Sequence, residues 1–177
     1  MEYRKIARFI QEAMTLKNIP RAGWLKVGIR DPESVAEHSM SAGIIAFLIA
    51  FLETSSYQVA SRAALHTLLH DLPEARTLDL HKLSKKYITI DSRRVLEDQL
   101  SLLPDPIVEG LRSSYEEVKD FVEDADKLEL IFQAKEYSKC YPEAMEYVKD
   151  LKLKTESARK LKDAMEREKS WWLHLER

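Results

Sequence analysis

From residue 3 onward, apolar residues recur at three- and four-residue intervals along most of the chain, the period of helices that bury one face. Ile6, Phe9, Ile10 and Ala13 form such a face over residues 3–17. Residues 18–31 contain Pro20, Gly23 and Gly28, carry no period and predict a loop. Pro32 suits a first helical turn, where its missing N–H has no partner to lose. Ser34 with Glu37 three residues on has the form of a capping box, so the second helix is placed from Pro32 to about Glu53. A third runs from about Gln58 to the His70-Asp71 pair, where Pro73 breaks it. Further helical pieces are expected at about 92–102, 105–113, 115–139, 142–152 and 155–175. Four glycines leave little for hairpins, and no repeat, low-complexity tract or linker interrupts the pattern. The pattern predicts an all-α, single-domain helical bundle spanning 1–177.

Composition narrows the function classes. A chain of 177 residues supports one core and is short for two. Lys and Arg total 28 against 30 Asp and Glu, a formal net charge of −2 with no basic run, so no nucleic-acid partner is expected. Cys140 is the single cysteine, which rules out an intramolecular disulfide and a Cys-rich zinc motif. The longest apolar stretch, around Ala42–Leu52, is too short to span a bilayer, so no membrane partner is expected. The N-terminus alternates charged and apolar residues, unlike a signal peptide, and a cytoplasmic location is the expectation.

The candidate chemistry begins at His70-Asp71, which closes an apolar helical run where a solvated pair has little reason to lie. An imidazole and a carboxylate on consecutive residues can reach one cation where the backbone turns, and mixed N/O donors suit divalent transition metals. His38, on an earlier helix, and an aspartate of the Asp124-Ala125-Asp126 segment, on a later one, are further candidates. Helices offering ligands from their inward faces are how bundles build metal sites. Asp124 and Asp126 lie about 200° apart on a helix and cannot face one point. Asp126 has Val122 and Leu130 as four-residue neighbours, Asp124 has Asp120 and Leu128, so the periodicity makes Asp126 the more buried by a modest margin. His66 shares a helical face with His70 and reads as a core histidine rather than a second metal ligand. His81 and His174 sit among charged residues and are expected to face solvent. Glu74, just past Pro73, reads equally as a proton-transfer group or as a surface carboxylate starting the next helix.

The ordered combination Arg21-Ala22-Gly23-Trp24, Pro32-Glu33-Ser34-Val35-Ala36-Glu37-His38, His70-Asp71-Leu72-Pro73-Glu74, Asp79 and Asp126-Lys127-Leu128-Glu129, followed by Gln133-Ala134 and Glu136-Tyr137, resembles the HD-domain metal-dependent phosphohydrolases. Within them it is most similar to the small 5′-deoxynucleotidases, over about residues 3–140. The resemblance implies one divalent transition metal ion (Mn, Co, Zn or Fe) held by His38, His70, Asp71 and Asp126, within a core of about 32–140. It implies Glu74 as general acid or base, Asp79 on a sugar hydroxyl or water, and Arg21 and Trp24 holding the nucleotide. The implied reaction is hydrolysis of deoxyribonucleoside 5′-monophosphates to deoxyribonucleosides and phosphate. Two alternatives stand beside it: an HD hydrolase of a nucleoside triphosphate or cyclic nucleotide, and a non-catalytic helical binding protein. One departure is Leu78-Asp79, where family members often show Gly-Asp.

Residues 142–177 lack a ligand set but are rich in apolar side chains, among them Tyr147, Val148, Leu151, Leu153, Leu161, Met165, Trp171, Trp172 and Leu173. Adjacent tryptophans point about 100° apart on a helix, so both are hard to bury against one domain. The C-terminal helices are therefore expected to serve architecture and a homodimer interface, consistent with what the resemblance implies.

Overall fold

The computed structural model describes residues 2–168 together with Ser170, Trp172 and Leu175. Its helices are α1 (Glu2–Thr15), α2 (Ala22–Leu25), α3 (Val35–Thr54), α4 (Tyr57–Leu69), α5 (Glu74–Thr77), α6 (Ser92–Leu100), α7 (Asp105–Tyr137) and α8 (Glu156–Arg167), with 3₁₀ turns at Leu16–Asn18, Ser84–Lys86 and Pro142–Tyr147. No strand occurs among the described residues, only an isolated bridge between Pro20 and Ser34. This is the all-α fold that the periodicity predicts.

Several boundaries follow from local chemistry. α3 starts after Ser34, whose side chain accepts from Glu37 N–H while the Glu37 carboxylate accepts from Ser34 N–H, so the helix begins at the capping box and Pro32 lies outside it. Ser56, Asp91 and Thr155 cap α4, α6 and α8 in the same sense. α4 closes at Leu69, leaving His70 and Asp71 on a turn and not on a helical face.

Three expectations are corrected here. Residues 105–139 form one continuous helix over Asp105–Tyr137, not two pieces broken near Ser113-Ser114. Both serine hydroxyls donate back to the Gly110 carbonyl, at 3.1 and 2.7 Å, so they are satisfied inside the helix and do not end it. The 142–152 segment is a 3₁₀ turn followed by a turn at 148–150 and irregular chain, and α8 ends at Arg167 rather than running to 175.

α3, α4 and α7 form the central layer. Ala46, Ile49, Ala50, Ala60, Ala63, Val118, Val122, Ala125, Leu128 and Ala158 of α8 make one buried cluster. The many alanines let the helices approach closely. Gly43 marks the tightest point, where an added Cβ would lie 3.0 Å from Leu68 Cγ. Burying Ile49 and Leu128 contributes about 1.5–3 kcal/mol each.

α8 runs alongside α7 and is tied to it at both ends. The Asp124 carboxylate accepts from Lys154 N–H, Thr155 N–H and the Thr155 hydroxyl at the start of α8. Lys135 donates to the Met165, Glu166 and Glu168 carbonyls at its end. Eleven residues of α7 span about 16 Å and the twelve of α8 about 18 Å, so the two anchors match the length of the helix they hold. α3 is 20 residues long and apolar enough, by length and composition, to cross a bilayer, which the shorter run Ala42–Leu52 does not suggest; half of it is buried inside the bundle, as in a core helix.

Candidate metal centre

Two helices and one turn bring the candidate ligands together. His38 occupies the first turn of α3 and is fully buried; Asp126 lies midway along α7; His70 and Asp71 occupy the turn after α4. His38 Nε2 is 3.2 Å from Asp126 Oδ1 and 3.6 Å from Asp71 Oδ2. His70 Nε2 is 3.3 Å from Asp71 Oδ2 and 3.7 Å from Asp126 Oδ1. The ligating atoms of His38, His70 and Asp126 all lie within 4.8 Å of one another. Both Nε2 atoms are buried with no hydrogen-bond partner, so two imidazole donors converge on one point that no protein group satisfies. Such donors beside two carboxylates fit a divalent transition metal.

The electrostatics agree with that fit. Burial alone would lower the His38 pKa, but Asp126 and Glu129 outweigh it and hold it up at about 9. Burial opposes a charged His70 as well, and Asp126 and Asp71 raise it. Burial would raise Asp126, yet the two imidazoles hold it far below the usual carboxylate range. The site carries a strong demand for positive charge, which a cation meets more compactly than two protons.

The remaining candidates surround an open cavity of about 220 Å³ lined by Arg21, Trp24, Asp71, Glu74, Asp79, Lys85 and others. Arg21 Nη1 donates to Asp71 Oδ2 at 3.2 Å and lies 4.0 Å from Asp79 Oδ2. Asp79 Oδ2 also accepts from Ala22 N–H at 2.8 Å, so it holds the loop that presents Arg21. Glu74 opens α5, and its buried Oε2 has no partner. Burial, then Asp71 and Asp79, push its pKa up to about 8. A carboxyl group that is protonated at neutral pH beside a phosphate-sized opening is a competent proton donor.

Trp24 departs from its expected role. Its ring is 1% exposed, packed against Tyr137 and Tyr147 with Nε1 donating to Glu33 Oε1 at 2.9 Å, so it offers the cavity an edge of the core rather than an open stacking face. Asp124 is the fully buried aspartate and Asp126 the more open one, the reverse of what the periodicity predicts. Periodicity misjudged Asp124 because its partners are the N–H groups of Lys154 and Thr155, thirty residues away in sequence. His66 turns away from the ligand cluster to Ser114 Oγ, at 2.9 Å, beside a separate cavity of about 400 Å³. His81 is half-buried at the cavity wall, its Nδ1 accepting from Ser84 N–H, and does not lie free in solvent. His174 lies outside the described residues.

Three groups escaped the sequence reading. Glu129 is buried with Oε2 2.5 Å from His38 Nδ1; its position three residues after Asp126, hence on the same helical face, was the available signal. Glu33, pushed up to about 7 by burial and by Glu129, bridges Trp24 and the His38 neighbourhood. Lys82 and Lys85 reach the cavity from an aperiodic segment, where no pattern could assign them a side.

Comparison with known proteins places this geometry in context. A family profile described as HD domain matches residues 13–169. The 5′-deoxynucleotidase hdd1 of Schizosaccharomyces pombe is 29% identical over 149 residues, 76% of this chain and 73% of that protein. The 5′-deoxynucleotidase HDDC2 of Homo sapiens is 26% identical over 144 residues, 76% of this chain and 69% of that protein. A structural-genomics crystal structure is 43% identical, with a TM-score of 0.86 over 96% of this chain and 99% of its own.

Proposed function

Because this chain belongs to the HD-domain family, we propose that it is a metal-dependent 5′-deoxynucleotidase, splitting deoxyribonucleoside 5′-monophosphates into deoxyribonucleoside and phosphate. The observation that carries this reading is the pair of unpartnered Nε2 atoms of His38 and His70, aimed with Asp71 and Asp126 at one point beside a cavity that the protonated Glu74 also lines. The names of the relatives in yeast and human supply the substrate class.

In this reading His38, His70, Asp71 and Asp126 would hold one divalent ion, and manganese, cobalt, zinc and iron all suit the donor set. Such an ion supplies Lewis-acid polarisation of a phosphoryl oxygen and a lowered pKa for water. Arg21, Lys82 and Lys85 bring positive charge to the cavity against the carboxylates of Asp71, Asp79 and Asp126, so a dianionic phosphate would depend on the cation to enter. Water adds at phosphorus as the P–O5′ bond breaks; Glu74 gives its proton to the 5′-oxygen, so the nucleoside leaves as a neutral alcohol, and the proton that the water sheds returns to the Glu74 carboxylate. Asp79, with one oxygen tied to Ala22 N–H, is the carboxylate in reach of a sugar hydroxyl. Trp24 shapes the wall from within the core.

The test is phosphate release from a panel of ribo- and deoxyribonucleoside mono-, di- and triphosphates and cyclic nucleotides, with metal added back after chelation. Release confined to deoxyribonucleoside monophosphates, restored by one metal equivalent per chain, is expected. Preference for a triphosphate or cyclic substrate, no metal dependence, or two tightly held metals per chain would overturn the reading.

The homodimer also belongs to this reading, but with a different interface. Trp172 and Leu175 are exposed, while Trp171 and Leu173 lie outside the described residues. The larger uncovered surface is on α3 and α4: Met40, Ile44, Leu48 and Leu52 make one exposed stripe, with Leu65 and Leu68 beside it. No charged residue interrupts α3 between His38 and Glu53. Acidic Glu37 and Glu53 flank the stripe, which disfavours an anionic lipid surface and favours an equally apolar, two-fold-related copy.

A further inference from the structure

We infer that Glu129 is a positioning residue for His38, fixing its imidazole with Nδ1 protonated and Nε2 turned to the ligand cluster; this rests on the metal-dependent reading above. His38 reaches α7 twice, through Nε2 to Asp126 Oδ1 at 3.2 Å and through Nδ1 to Glu129 Oε2 at 2.5 Å. Asp126 and Glu129 are three residues apart on one face of α7, so the helix brackets the ring from both nitrogen atoms. A carboxylate oxygen accepts, so the neutral imidazole must place its hydrogen on Nδ1, which leaves the Nε2 lone pair free. A ring whose tautomer and rotation are set in advance loses little on binding an ion, and an anionic acceptor behind it strengthens the donor.

His70 is held differently. Its Nδ1 lies 2.5 Å from the Thr67 carbonyl, an uncharged acceptor in the last turn of its own helix. The orientation of His70 is therefore local to the end of α4, whereas that of His38 depends on α7 and on one side chain. Among the described residues, His38 is the ion-pair partner of Glu129. Glu129 is 4% exposed, and the Glu33 and Glu129 carboxylates lie within 4.8 Å of each other. A neutral residue would pack there at lower cost. The imidazole is the group that makes the acid worth burying.

The experiment titrates the full-length, metal-depleted protein with zinc against a chromogenic chelator, comparing wild type, Glu129→Gln and Glu129→Leu. Loss of the acceptor in Glu129→Leu should weaken zinc binding about 10–100-fold. Glu129→Gln, whose amide oxygen can accept the same N–H, should recover to within a few-fold of wild type, and the melting temperatures of the metal-free proteins should not follow that order. Long-range ¹H–¹⁵N spectra of the zinc-loaded wild type should show the His38 proton on Nδ1. Zinc affinity unchanged in Glu129→Leu, equal losses in both variants, or a proton on Nε2 would overturn the inference. Should Glu129→Leu fail to fold, Glu129→Gln and the spectra decide it. A wild-type protein that takes up no zinc would instead sink the metal-dependent reading, a result distinguishable from all of these.

Discussion

Leu78 has φ 63° and ψ 162°, a conformation that L side chains rarely adopt. It lies between α5 and the cavity-lining Asp79, so the chain takes a glycine-like path without a glycine. Such strain costs about 1–3 kcal/mol, and the side chain, 62% exposed, recovers little by burial. Leu78→Gly should therefore raise the melting temperature by about 2–4 °C, the relief of strain outweighing glycine's extra entropy in the unfolded chain; a fall on thermal denaturation would contradict the strain. Four residues earlier, Glu74→Ala should leave zinc or manganese affinity intact while lowering turnover about 10²–10⁴-fold. Metal loss measured by elemental analysis of that variant would make Glu74 a ligand instead. His38, His70, Asp71 and Asp126 could be selected from motif order, because the motif names residues. Asp124 could not be assigned, because its partners lie at the start of α8, far away in sequence, and the spacing from Asp126 marks the helical face of Glu129 but not its partner on α3.

Among the elements, α3 carries two assignments on opposite sides. Val35, Ala42, Ala46 and Ile49 face the bundle, whereas Met40, Ile44, Leu48 and Leu52 do not. A helix apolar all round reads as buried, and periodicity alone could not show that one side of α3 is left uncovered within a single chain. If that side meets a second copy, Ile44→Glu with Leu48→Glu should convert a dimer to a monomer in sedimentation velocity at micromolar concentration, while the helical circular dichroism is retained. A monomeric wild type across that range would remove the interface. The Ser34 cap and the break at Pro73 were legible because each depends on residues adjacent in sequence. The continuity of α7 was not, because serines that often end helices are satisfied here by the Gly110 carbonyl one turn back.

For the whole molecule, the buried charges set a pH response of the metal-free protein. His38 stands at about 9 against an ordinary 6.5, so its stabilisation is complete below pH 6.5 and lost as pH rises through 9. Glu74, at about 8, also favours the folded state only while protonated, and its contribution fades between about pH 4.5 and 8. Asp126, held low, contributes above its ordinary value and loses that contribution only in acid. The chelated protein should thus be most stable near pH 5 and lose on the order of a few kcal/mol by pH 9, as followed by urea denaturation, with added manganese or zinc flattening the slope. A stability that rises across that window would contradict the ion-paired state of the ligands. The anchoring of α8 bears on how the protein ages in use. Asp124 fastens the chain at Lys154 and Thr155, and two residues along the same helix lies Asp126, a proposed ligand of the cation. A protease that nicks the irregular stretch before α8 would cut no proposed ligand and touch no substrate. It would still free Asp124 from its N–H partners and leave a bare carboxylate in the core, slackening the helix that sets Asp126. Slow inactivation in storage should then appear first as zinc or manganese leaking from a protein whose ligands are all intact.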